Sequence, residues 1–165
     1  NYSRHYRHRL RAEVLMDAVA DVTEVTGDMQ AMPPGSRANQ VWTHRVDSMF
    51  LDTFGRPNEN QDPPCERTPD STVTQSLHLM NSPEIDRRIR SDKGRAARLA
   101  ASDLTAAQLI EEMYLAVFTR RPKQDELEYG QQLLSASETR RGVVEDLMWA
   151  MMNSPEFTKI GRAHV

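Results

Sequence analysis

The sequence predicts an all-α protein: six to seven short helices in an irregular bundle, with a long Pro-rich loop near residues 56–70. Three observations carry this expectation. Apolar residues recur near a 3.6 period along most of the 165-residue chain. Ser, Thr and Asn stand where those periodic segments begin or end. No segment alternates apolar and polar residues for long enough to read as a strand.

The helices are expected in order. Leu10, Val14, Leu15, Ala18, Val19, Val22 and Val25 form a first stripe, with Gly27 placed to end it. Met32-Pro33-Pro34-Gly35 reads as loop. Val46, Met49, Phe50 and Phe54 mark a short second helix, stopped by Gly55-Arg56-Pro57. The following stretch holds Pro57, Pro63, Pro64 and Pro69 and almost no apolar side chain, which makes it the long loop. Asp70 or Ser71 can cap a third helix running through Val73, Leu77 and Met80. Ile85 and Ile89 carry the next. Thr105 with Gln108 fits a capping box, ahead of a stripe of Leu109, Ile110, Met113, Tyr114, Val117 and Phe118. Arg120-Arg121-Pro122 ends that helix, because a residue before proline avoids the helical region. Leu127, Gly130, Leu133 and Leu134 follow, and the last helix carries Val143, Val144, Leu147, Ala150 and Met151.

One segment is echoed. Leu77-His78-Leu79-Met80-Asn81-Ser82-Pro83-Glu84-Ile85 resembles Trp149-Ala150-Met151-Met152-Asn153-Ser154-Pro155-Glu156-Phe157. Cap chemistry explains each residue type: Asn tolerates the left-handed conformation that closes a helix, Ser caps the next, and Pro opens it. The repeat reads as a helix-to-helix corner that docks Ile85 or Phe157 into the core.

Composition excludes several classes. Apolar residues make up 38% of the chain and mean hydropathy is −0.67, and no apolar run approaches the ~20 residues of a spanning helix. Cys65 is the single cysteine, so a disulfide scaffold is excluded. Covalent haem attachment needs Cys-x-x-Cys-His, so no haem is attached within this segment. The charge balance of 21 basic against 24 acidic residues argues against a nucleic-acid binder. Arg outnumbers Lys 18 to 3, which suits a GC-rich genome.

The chain starts at Asn1 with no signal peptide before it, and Ile160-Gly161-Arg162-Ala163-His164-Val165 resembles a short-read sequencing adapter translated in one frame, the alternative being a genuine polar tail. The expectation is therefore a single helical domain over 1–159, a fragment of a larger protein, followed by non-native residues 160–165.

Candidate site residues are few. Arg4-His5-Tyr6-Arg7-His8-Arg9-Leu10-Arg11 interleaves cations and aromatics, a pattern that can grip phosphates or anionic glycans, or anchor a neighbouring domain. Arg7, Arg9, Arg11, Arg37 and Arg56 are the candidate ligand or partner contacts. Cys65-Glu66-Arg67 is the candidate reactive loop, because a thiolate nucleophile needs an electropositive setting, from Arg56 or Arg67, and a base, for which His78 is the candidate. Nothing in the sequence places His78 beside Cys65, and a packed loop explains the same residues. Arg87, Arg88, Arg90, Lys93, Arg95 and Arg98 could bind an anionic ligand or partner, but read first as a solvated helix face. The methionines, Met148, Met151 and Met152 among them, read as core fillers rather than a copper site. No metal-ligand motif, phosphate loop, nucleophile elbow or paired-carboxylate motif is visible. Glycan binding is weakly supported, with only Trp42 and Trp149 as indoles.

Taken together, several stretches resemble a known family. They are Arg9-Leu10-Arg11-Ala12-Glu13-Val14-Leu15-Met16-Asp17-Ala18, Met32-Pro33-Pro34-Gly35-Ser36-Arg37-Ala38 and Phe50-Leu51-Asp52-Thr53-Phe54-Gly55-Arg56-Pro57. Cys65-Glu66-Arg67, Gln75-Ser76-Leu77-His78-Leu79-Met80-Asn81-Ser82, Tyr114-Leu115-Ala116 and Asn153-Ser154-Pro155-Glu156-Phe157 continue the likeness, up to Thr158. In order and spacing they resemble the planctomycete domain of unknown function, family 1553, the C-terminal domain of large proteins that also carry cytochrome-c-like domains. That family usually has another cysteine where this chain has Pro63-Pro64, so a thiol pair or metal site is not expected here. The resemblance implies an extracytoplasmic multidomain context, with haem in an upstream domain and a link to polysaccharide use or electron transfer.

Two functions are therefore weighed. The first is a non-catalytic module that packs on upstream domains of the same chain. The second is part of an enzyme, with Arg37, Arg56, Cys65, Glu66, Arg67 and His78 lining a pocket that an upstream domain completes. Convergence of those side chains in one cleft would favour the enzyme; scattered or mutually salt-bridged side chains would favour the module.

Overall fold

A computed structural model describes residues 8–27, 29, 32, 33, 35–41, 47–56 and 73–160 of the chain. Among these residues the protein is all-α. Its helices are α1 (Ala12–Thr23), α2 (Met49–Thr53), α3 (Val73–Asn81), α4 (Pro83–Ile89), α5 (Arg95–Ala100), α6 (Ala106–Phe118), α7 (Gln124–Ala136), α8 (Arg140–Met152) and α9 (Pro155–Thr158). A 3₁₀ turn covers Ala38–Gln40. The extended pairing found among the described residues is a two-residue antiparallel ladder, in which His8 faces Ile160 and Arg9 faces Lys159.

The chain divides into two compact units. The first takes in residues 1–21, 26–82 and 158–165, and the second residues 22–25 and 83–157. In the first, Ala12, Leu15, Met16 and Val19 of α1 are buried, as are Ala38, Phe50, Leu51, Phe54 and Leu79. Ser48 caps α2 by accepting from the Leu51 amide at 3.3 Å, and Gly55 closes it at φ 83°. α2 packs against α3, and the Phe50 and Phe54 rings stack with centroids 4.5 Å apart. The inner face of α3 is not the apolar stripe that its spacing predicts. Gln75, Leu79 and Ser82 are buried, whereas Leu77 and Met80 are 53% and 50% exposed. Gln75 is drawn inward because its amide has partners there, described below. Val14, expected in the core, also lies at the surface.

The second unit is built on α8. Its Val144, Met148, Met151 and Met152 are buried, and α4, α5, α6 and α7 all pack against it. Of the stripe expected on α8, Val144 and Met151 are buried, Val143 and Leu147 are half-buried and Ala150 is exposed. α6 also packs along α7. Gly130 makes that approach possible: a Cβ there would lie 2.7 Å from Ile110 Cδ1. The Thr105–Gln108 capping box forms as predicted, with the Thr105 hydroxyl accepting from the Gln108 amide at 3.3 Å and the Gln108 side chain accepting from the Thr105 amide at 3.0 Å. α6 ends at Thr119, which takes the left-handed conformation at φ 56°. α1 ends earlier than Gly27, at Glu24, which is left-handed at φ 58°.

The repeated Asn-Ser-Pro-Glu corners are structural, as expected, but Asn works differently. Asn153 is right-handed at φ −84°. Both Asn side chains instead donate to the carbonyl four residues back, Asn81 to Leu77 at 2.9 Å and Asn153 to Trp149 at 2.8 Å. At Trp149 this is a second bond, because its carbonyl also accepts from the Asn153 amide at 3.1 Å, and it is made without a left-handed residue. Pro83 and Pro155 then open α4 and α9, and the Ser154 hydroxyl accepts from the Phe157 amide at 3.3 Å. Ile85 and Phe157 are both buried, as the corner reading requires.

Candidate functional site

In the first unit three of the candidate cations, Arg9, Arg37 and Arg56, are held by partners in the same unit. Arg9 leaves the two-residue ladder and points between α2 and α3. Its guanidinium donates to the Gln75 side-chain oxygen and, at 2.8 Å, to the Phe54 carbonyl, and it lies 5.5 Å from the Phe54 ring centre. Gln75 donates in turn to the Thr53 carbonyl at 3.0 Å. The last carbonyls of α2 are thus satisfied by two long side chains from distant parts of the sequence. Burial pulls the Arg9 guanidinium below its ordinary pKa. His78 is half-buried one turn from Gln75 and meets Phe50 and Phe54 edge-on, at 5.8 and 6.0 Å between ring centres.

Arg37 forms a two-pronged pair with Asp21, at 3.1 and 2.6 Å, and approaches Asp17 at 3.6 Å. These carboxylates, Asp21 first, hold its pKa above the ordinary value. Asp17 is buried and accepts from the Ala38 amide at 2.6 Å and the Asn39 amide at 3.1 Å. A carboxylate on α1 thereby caps the 3₁₀ turn that carries Arg37. Arg56 pairs with Asp52 one turn earlier, at 2.7 Å. Arg11 is exposed, and its carbonyl accepts from Leu15 at the start of α1.

The structure therefore brings Arg9 and His78 together on the Phe54 ring and leaves Arg37 and Arg56 on their own carboxylates. Arg7, Cys65, Glu66 and Arg67 lie outside the described residues. Sequence reasoning missed Gln75 and Asp17. A glutamine in register with Leu79 was a usable signal for the first. Asp17 carried none, because its amide partners lie 21 and 22 residues away.

The arginine-rich stretch belongs to the second unit and is not one solvated face. It spans two helices, α4 and α5. Arg88 is buried and paired with Glu84. Arg90 pairs with Asp86 at 2.8 Å and reaches Glu145 at 3.4 Å. Arg95 and Arg98 both hold Glu24, at 3.1 and 2.7 Å, and Arg95 also donates to the Val22 carbonyl at 2.7 Å. Bonding to Arg98, with the nearby Arg95 charge, keeps the Glu24 carboxyl below its ordinary range. Among the described residues no three His, Cys, Asp or Glu side chains gather to hold a metal ion. Among the same residues no helix is long and apolar enough to cross a membrane.

Such an arrangement defines an all-helical module in which carboxylates, a carbonyl and a side-chain amide of the same unit engage three of the candidate cations, Arg9, Arg37 and Arg56. The chain belongs to the PSD1 family, a protein of unknown function (DUF1553), whose model matches residues 1–134. The matched stretch ends within α7, short of Thr158, so the second Asn-Ser-Pro-Glu corner lies beyond it. No curated protein matches the chain, and no solved structure does.

Proposed function

We propose that this chain is a non-catalytic helical module, C-terminal in an extracytoplasmic, haem-associated multidomain protein, that packs on upstream domains. One observation supports the reading above the others: Arg9, Arg37 and Arg56 are engaged by Gln75 and Phe54, by Asp17 and Asp21, and by Asp52. A guanidinium whose charge is already offset by a carboxylate of the same unit, as Arg37 is by Asp21 and Arg56 by Asp52, attracts a substrate anion less strongly. The sequence resemblance is what suggests the location and the upstream haem, and the pairing is what favours a non-catalytic role.

A long read of the source gene upstream of Asn1 tests the context. An in-frame signal peptide and a Cys-x-x-Cys-His motif are expected, and a start codon directly before Asn1 overturns the reading. Cross-linking of the longer gene product, read by mass spectrometry, tests the packing: links from this segment to upstream domains are expected. If Cys65→Ser or His78→Ala abolished a turnover by that full product while leaving its unfolding unchanged, the chain would instead be part of an enzyme.

A further inference from the structure

We draw no further inference here: the strongest candidate, the apolar side chains of Met49, Leu77 and Met80 left exposed on α2 and α3, carries none because nothing in the structure shows what covers them.

Discussion

The Arg120 guanidinium donates to the Glu156 carboxylate at 2.6 and 3.0 Å, across 36 residues of sequence. The same group forks onto Glu126 at 2.7 and 2.8 Å and lies 5.3 and 5.5 Å from the ring centres of Tyr114 and Phe118. One side chain between α6 and α7 thus ties the end of α6, the first turn of α7 and the start of α9. Arg120→Lys keeps the charge but loses the planar fork. A loss of about 1–2 kcal/mol is expected, from charge-assisted bonds partly exposed to water. Urea unfolding measures it, and a lysine variant as stable as the parent would show that the fork contributes nothing.

The same clamp makes stability depend on pH. Hydrogen bonds from Arg120 hold Glu126 down to about 2 and keep Glu156 below its ordinary range. Both carboxyls titrate lower when folded than when unfolded, so the unfolded chain binds protons first as the pH falls. The contribution is complete above the ordinary carboxylate range and fades as the pH drops through it towards 2. Glu126→Gln should therefore cost stability at pH 7, and the gap to the parent should narrow at pH 3 and close only towards pH 2. Denaturant titrations at the two pH values read this directly; a gap that stays constant would separate the effect from ionisation.

Gly130 supplies a packing test. A Cβ at this position would stand 2.7, 2.8 and 3.2 Å from three carbons of Ile110, which is itself buried. Gly130→Ala gains about 1 kcal/mol of helix propensity. Overpacking against a core side chain costs about 1–3 kcal/mol, so the net change is expected to be destabilising. Ile110→Val removes the nearest carbon, and the double variant should lose less than the sum of the single losses. Strict additivity in thermal unfolding would refute the contact.

Asp17 should matter more than its short side chain suggests. Its two oxygens take the Ala38 and Asn39 amides. Asp17→Asn leaves one acceptor for two donors, at a cost of about 1–3 kcal/mol for a buried unsatisfied group. Hydrogen exchange localises the effect: the amides of Ala38 and Asn39 should lose protection before those of α6 or α8.

Arg9 and Gln75 should behave as one unit. Arg9→Met keeps much of the apolar stem and removes the donors to Gln75 and to the Phe54 carbonyl. A double-mutant cycle with Gln75→Leu should show a coupling of about 0.5–3 kcal/mol, the range for residues in direct contact. Independent effects would return Arg9 to the candidates for binding a ligand.

Local chemistry was legible in the sequence. The Thr105–Gln108 box, the proline starts of α4 and α9, and the burial of Ile85 and Phe157 each depend on neighbours within about one helical turn. The α6 stripe and the methionine-rich face of α8 were legible too, because a strong period names its own inward face. Weak periods did not. In α3 the apolar spacing of Leu77 and Met80 pointed one way, and the bonds from Gln75 to Arg9 and Thr53 turned the helix the other. The short α5 escaped notice because Ala96 and Leu99 form too brief a stripe between arginines.

By itself, then, the sequence determined the all-α class, the capped start of α6, both corners and the family to which residues 1–134 belong. Only the tertiary structure decided which carboxylate each arginine meets. Asp21 reaches Arg37 across 16 residues, Glu24 reaches Arg98 across 74, and Glu145 reaches Arg90 across 55. A charge has no periodicity and attracts any opposite charge, so its partner is chosen by where packing brings the backbones. Arg9, Arg37 and Arg56, which read as binding candidates along the chain, become in three dimensions internal ties of the first unit.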